Sequence, residues 1–163
     1  AAYYFAINRC SFSGATLSGG YSQQASEKRF TESSIERVGK LNLENVEFYD
    51  DDFVIFFEEE VISPTKDSKN KLIFLDPPYY LNEKSKLYGI DGNKHLYFNH
   101  ERLRTFLNLI DQLNYDWVLC YNDCEYIRKL YSKYKIVKLE WKYGMNKSKK
   151  SSEILILNIG NSD

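Results

Sequence analysis

No apolar run in these 163 residues approaches the roughly 20 needed to cross a bilayer as a helix, and no secretory leader pattern opens the chain. A membrane role is not expected. Cysteine is scarce. Cys10, Cys120 and Cys124 make an odd count, and the spacing of the last two supplies too few ligands for a metal. A disulfide framework is excluded, no metal is expected, and the reducing cytoplasm is the expected location. Charge of one sign is lacking too: 22 Lys and Arg against 23 Asp and Glu leave −1, which gives no global case for a polyanionic partner. Methionine occurs once, at Met145, while the chain opens on apolar Ala1-Ala2-Tyr3-Tyr4-Phe5. Both a trimmed start and a fragment are open on that ground alone.

Aromatic residues are plentiful. Fourteen Tyr and 10 Phe supply enough apolar surface for a sizeable core, which excludes a wholly disordered chain. The length suits one domain. Charge is unevenly spread: acids at 44, 47, 50, 51, 52, 58, 59 and 60 have no basic neighbour in that stretch, while 142–150 holds four lysines and no acid.

Patterning predicts the tail of an amphipathic helix over residues 1–9 and a Ser/Gly loop over 11–26. Thr31 or Ser33 caps a helix to about Leu41, and Val46–Tyr49 reads as a short strand. Asp52 caps a helix carrying Phe53, Phe56 and Phe57, and residues 63–70 form a polar loop. The continuous apolar run Lys71-Leu72-Ile73-Phe74-Leu75 predicts a strand buried on both faces, as in a parallel sheet. Asn99 caps a helix with Leu103, Phe106, Leu107 and Ile110 on one face. Trp117–Tyr121 is a second buried strand, followed by a short helix to about Tyr131. Ile136–Trp141 and Glu153–Asn158 form an antiparallel hairpin across the lysine loop. This order describes the later portion of a doubly wound, three-layer α/β sheet.

The sharpest chemical feature is Asp76-Pro77-Pro78-Tyr79-Tyr80 directly after that first strand. Ligands of open α/β sheets sit outside the carboxyl ends of strands. Two prolines fix φ and remove two amide donors, leaving a stiff turn with free carbonyls. An acceptor-only carboxylate, a proline carbonyl and a flat ring together suit an exocyclic amine on an aromatic base. Holding both amine hydrogens draws the nitrogen lone pair out of conjugation and toward an electrophile. An Asp-Pro turn after a strand is also common without any chemistry.

The segment resembles the (D/N/S)-P-P-(Y/F/W) signature of S-adenosylmethionine-dependent amino-methyltransferases. More narrowly, the chain is similar to the Dam-type, alpha-group N6-adenine DNA methyltransferases. The resembling blocks run in order: residues 7–14 (Ile-Asn-Arg-Cys-Ser-Phe-Ser-Gly), Gln23-Gln24 with Arg29-Phe30, Ile35-Glu36-Arg37-Val38, 74–80, Leu87-Tyr88, Phe98-Asn99-His100, 117–123 and 152–156. The resemblance implies a Rossmann-like methyltransferase sheet ending in an antiparallel hairpin, with residues 1–45 in the DNA-recognition region and linker and 46–163 in the catalytic sheet. It implies that Asp76 and the Pro77 carbonyl hold the adenine amine beside Pro78, with Tyr79 stacking on a flipped base. Asp76, Pro77, Asp52 and Phe53 would lie near the cofactor, S-adenosylmethionine. Asn8, Arg9, Phe12 and Ser13 would face DNA, with Ser13 where other members have Asn. Lys142, Lys147, Lys149 and Lys150 would neutralise phosphates, and Tyr143 or Asn146 would reach a base.

The family begins with a Gly-rich F-x-G-x-G turn, and no G-x-G occurs in this sequence. The expectation is therefore a single domain that is the C-terminal portion of a methyltransferase, lacking the cofactor-binding part and exposing apolar sheet surface through which it could self-associate. Double-stranded DNA and a cognate restriction endonuclease are the expected partners. The alternatives are a non-catalytic DNA-binding fragment or accessory module, and an amino-methyltransferase acting on RNA or protein. His95 and His100 are expected at surface or capping positions. No cysteine follows a proline, which argues against cytosine carbon-5 chemistry.

Overall fold

The computed structural model describes residues 1–62, 71–83, 85, 90–139 and 152–160. These fall into two compact units, Ala1–Tyr49 with Leu81–Tyr97, and Asp50–Tyr80 with Phe98–Asp163.

The first unit contains helices α1 (Ala2–Cys10), α2 (Gln23–Arg29) and α3 (Glu32–Gly39), with single 3-10 turns at Phe12–Gly14 and Lys94–Tyr97. Helix α3 begins at Thr31, one of its two expected caps, and forms a capping box there: the Thr31 side chain accepts from the Ser34 amide, and the Ser34 hydroxyl accepts from the Thr31 amide. Helix α2 begins inside the stretch expected to be a loop, residues 11–26, and runs three residues past it. Its seven residues, QQASEKR, are mostly strong helix formers, and Ser22 caps it by accepting from the Ala25 amide at 3.3 Å. The flanking Ser/Gly content concealed this short helix. Val46–Tyr49 forms no strand: it has no ladder partner among the described residues, and Val46, Phe48 and Tyr49 are exposed. A β-prone tetrapeptide becomes a strand only where a neighbouring strand pairs with it.

The second unit holds a four-stranded sheet in the order β1-β2-β4-β3, with β1 Leu72–Leu75, β2 Asp116–Asn122, β3 Lys135–Leu139 and β4 Glu153–Asn158. Strand β1 runs parallel to β2, with Leu75 opposite Leu119. Strand β4 inserts between β2 and β3, antiparallel to both. Helices α4 (Phe53–Phe56), α5 (His100–Gln112) and α6 (Glu125–Leu130) complete the unit, with a π-helical turn at Phe57–Val61. Asn99 caps α5 by accepting from the Arg102 amide at 2.8 Å. This mixed α/β arrangement is compatible with a Rossmann-like methyltransferase sheet.

One face of the sheet carries the core. Ile73, Trp117, Leu119, Tyr121, Ile154 and Ile156 pack against Phe57, Leu103, Phe106, Leu107, Ile110 and Ile127. The four α5 side chains in this cluster contribute about 1.5–3 kcal/mol each on burial, more than any single polar contact. Packing therefore places α5. The other face is less covered at β1, where Leu72 and Phe74 are 60% and 63% exposed. The expectation of a strand buried on both faces fails here, because β1 is an edge strand among the described residues and alternates like a half-covered one.

Both histidines are buried rather than at the surface. His95 is 2% exposed, with Nε2 2.9 Å from the Glu83 carbonyl; His100 is 8% exposed, with Nδ1 2.6 Å from the Tyr121 hydroxyl. Each ring finds a polar partner that makes burial affordable, and those partners lie 12 and 21 residues away.

Candidate active site

Parallel β1 and β2 end side by side, β1 running into Asp76 and β2 into Asn122. The turn after β1 is pinned to the end of β2 by one side chain. Asn122 Oδ1 accepts from the Tyr80 amide at 3.0 Å, and its Nδ2 donates to the Tyr80 carbonyl at 2.8 Å. This two-bond clamp substitutes for the ladder that prolines 77 and 78 cannot continue. Tyr80 is held by its ring as well. It stacks on Tyr126 at 4.3 Å and meets the edge of His100 at 5.3 Å. Tyr126 donates to Glu101 at 3.0 Å, and burial together with that carboxylate pushes its phenol up to about 12.

Asp76 itself is exposed, with Pro77, Pro78 and Tyr79 half-buried behind it. The Tyr79 ring lies 6.3 Å from that of Tyr121, tilted by 41°. Cys120 sits close by: burial, then the Asp76 and Glu153 carboxylates, raise its thiol pKa, so the thiol stays neutral beside the motif. Chemically, the end of β1 presents a carboxylate, a proline carbonyl without a competing amide, and an aromatic ring on a fixed backbone.

Asp52 and Phe53 are in use within the protein. Asp52 accepts from the Val54 amide at 3.0 Å, which caps α4, and pairs with both terminal nitrogens of Arg102 at 2.9 and 3.0 Å. The Arg102 hydrogen bond, then that from Val54, holds the Asp52 carboxyl below its usual range. The Arg102 guanidinium also lies 5.0 Å from the Phe53 ring centre, and Phe53 meets Phe106 edge-on at 5.5 Å.

In the first unit, Asn8, Phe12 and Ser13 come together around one turn. Asn8 Nδ2 donates to the Gly14 carbonyl at 2.9 Å and to Thr16 Oγ1 at 3.3 Å. Phe12 is 64% exposed. Ser13 and Gly14 are successively left-handed, with φ 55° and 76°. Arg9 lies elsewhere on α1, over the Phe5 ring at 5.3 Å. Lys142, Tyr143, Asn146, Lys147, Lys149 and Lys150 fall outside the described residues, as do Leu87 and Tyr88.

A family model for D12 class N6 adenine-specific DNA methyltransferases matches residues 1–145. The chain belongs to this family. No curated protein sequence matches it. Membership of the adenine methyltransferases assigns the activity class, methylation of adenine N6 in DNA, and the methyl donor such enzymes use, S-adenosylmethionine.

Asp52 and Phe53 pair an acceptor-only carboxylate with a flat ring, a chemistry suited to a nucleoside, and both are engaged by Arg102. No helix among the described residues is long and apolar enough to cross a membrane. The sequence pattern missed Asn122, Arg102 and the His100–Tyr121 pair as partners of the site. Asn122 had one signal, a polar residue closing an apolar strand. The pairing of residues 42 positions apart left none.

Proposed function

We propose that this chain takes part in methyl transfer from S-adenosylmethionine to the N6 amine of an adenine rotated out of duplex DNA, at the Asp76-Pro77-Pro78-Tyr79 end of β1. The observation that carries this reading is the Asn122 clamp on Tyr80, which fixes the motif's backbone while Asp76 stays open to solvent. In this reading the Asp76 carboxylate and the Pro77 carbonyl accept the two amine hydrogens. The nitrogen lone pair then leaves the ring's π system and becomes nucleophilic. Tyr79 stacks on the base, and Pro78 keeps the turn rigid, so orientation is prepaid. When bound, S-adenosylmethionine supplies the electrophilic methyl group; Asp52, Phe53, Asp76 and Pro77 are the residues that would hold it. Extrusion of the base is required, because a donor cannot reach the amine inside a stacked duplex.

In this reading residues 1–45 belong to the DNA-recognition region and linker, and 46–163 to the catalytic sheet. Phe12 and Ser13 enter the duplex, supported by the exposure of Phe12 and the left-handed turn that projects it. Asn8 supports that turn from within, Arg9 adds positive charge on α1, and the 142–150 lysines meet phosphates. Exposed Leu72 and Phe74 support self-association across that sheet face, and a cognate restriction endonuclease is the expected functional partner.

The test is base extrusion. A panel of duplexes carrying 2-aminopurine in place of successive adenines is titrated with the protein. The expected result is a fluorescence rise at one position, reduced in Tyr79→Ala. Tight binding without any position-dependent rise contradicts the reading.

A further inference from the structure

The turn that carries Phe12 is not held by burying its side chain, which is largely exposed. Its mouth is closed by backbone bonds, Phe12 to the Gly20 carbonyl at 3.1 Å and Ser22 to the Cys10 carbonyl at 2.8 Å, around the Ser11–Tyr21 bridge. Within it, Ser13 has φ 55°, a conformation that serine disfavours, so other contacts must hold the turn. Two side chains do. Asn8 grips the Gly14 carbonyl at 2.9 Å, and Arg29, on the last turn of α2, donates through Nη2 to the Ser11 carbonyl. That carbonyl also accepts from the Gly14 amide at 3.2 Å, so Arg29 acts on the atom that closes the turn. The turn is seated directly on both clamps: a Cβ placed on Gly14 would lie 3.2 Å from Arg29 Nη1 and 3.6 Å from Asn8 Nδ2.

We propose that Arg29 is a positioning residue for DNA recognition, holding the Phe12–Ser13 turn in its DNA-entering shape through the Ser11 carbonyl rather than binding a phosphate. The proposal rests on the reading that Phe12 and Ser13 enter DNA. An arginine beside a DNA-facing turn is ordinarily a phosphate ligand. Here the guanidinium is half-buried and one of its arms is spent on a main-chain carbonyl. A charge-assisted bond of this kind is about twice as strong as a neutral one, which makes it the firmest tie among the side-chain clamps.

The two roles give different salt dependence. A phosphate ligand adds roughly one unit to the slope of log affinity against log salt, whereas a positioning residue adds none. The experiment measures duplex affinity across a salt series for the wild type, Arg29→Ala and Arg29→Lys, with amide hydrogen exchange on the free proteins. Arg29→Ala is expected to raise Kd roughly 10-fold, the scale of one charge-assisted hydrogen bond, at unchanged slope. Exchange should quicken at Gly14, Ala15 and Gly19, with α5 amides as protected as before. Arg29→Lys, which keeps the charge but loses the planar fork, should fall between. Gly14→Ala should reproduce the exchange change with Arg29 intact, because φ of 76° and the Arg29 contact both oppose a side chain there. A slope reduced by about one in Arg29→Ala overturns the proposal, as do unchanged Kd and exchange. A wild type that binds no duplex contradicts the DNA-entry reading instead, while the exchange arm still decides whether Arg29 holds the turn.

Discussion

Replacing Asn122 with Ala removes both hydrogen bonds that tie the Tyr80 main chain to the end of β2. Each such bond contributes about 0.5–1.5 kcal/mol net. Together the two bonds put the expected destabilisation at about 1–3 kcal/mol. For a chain of this length that is a fall in Tm of roughly 2–10 °C. The effect on the reaction should be larger than the effect on stability, because a motif displaced by about 1 Å can lose on the order of 100-fold in rate. Asn122→Asp separates the two bonds: the carboxylate still accepts from the Tyr80 amide but now faces its carbonyl without a proton to donate. It should lose at least as much as the alanine variant. The assay pairs thermal unfolding with the 2-aminopurine signal. An Asn122→Ala protein with unchanged Tm and an unchanged base-extrusion signal would refute the idea that this clamp shapes the site.

Three further outcomes follow from the same contacts. Asp111 accepts from Trp117 at 2.9 Å, Asn158 at 2.8 Å, Lys133 at 3.0 Å and Tyr134 at 2.5 Å, so Asp111→Ala orphans a fully buried indole N–H and should cost about 2–4 kcal/mol in chemical denaturation. Folding lowers the pKa of Asp111, where Tyr134, Trp117 and Lys133 outweigh the opposing burial, and of Asp52 and Asp123 through Arg102 and Arg128. The unfolded chain thus binds protons first on acidification: stability should be intact above about pH 4 and decline as pH falls through the lower folded values, and a flat stability profile there would contradict these pairings. Cys120 should react with iodoacetamide at pH 8 more slowly than in the denatured chain, and Asp76→Asn should quicken it by removing one of the charges that raise its pKa. An Asp76→Asn protein with unchanged Cys120 reactivity would place that carboxylate elsewhere.

What could be read from the sequence was local. The α5 cap at Asn99, the α3 cap at Thr31, one of two candidates, and the strand that stops at Asp76 each depend on residues within a few positions, and each is where the pattern allows it. Errors arose where a neighbour in space decides. Val46–Tyr49 has strand propensity but no strand beside it among the described residues, and Leu72 and Phe74 belong to an apolar run whose second face is exposed there. The motif Asp76-Pro77-Pro78-Tyr79 stands out in the sequence because its residues are consecutive. Its support was not, since Asn122, His100 and Tyr126 reach it from three different elements. Arg29 was visible only as part of a resembling block; its hold on Ser11 spans 18 residues of chain.

In the proposed reaction, the Asp76 end of β1 directs methyl transfer to an adenine amine. Nucleoside mass spectrometry of duplex DNA incubated with the protein and S-adenosylmethionine tests it most directly. The wild type should yield N6-methyladenine and Asp76→Ala none. Methylation of cytosine instead, or N6-methyladenine formed equally well by Asp76→Ala, would contradict it.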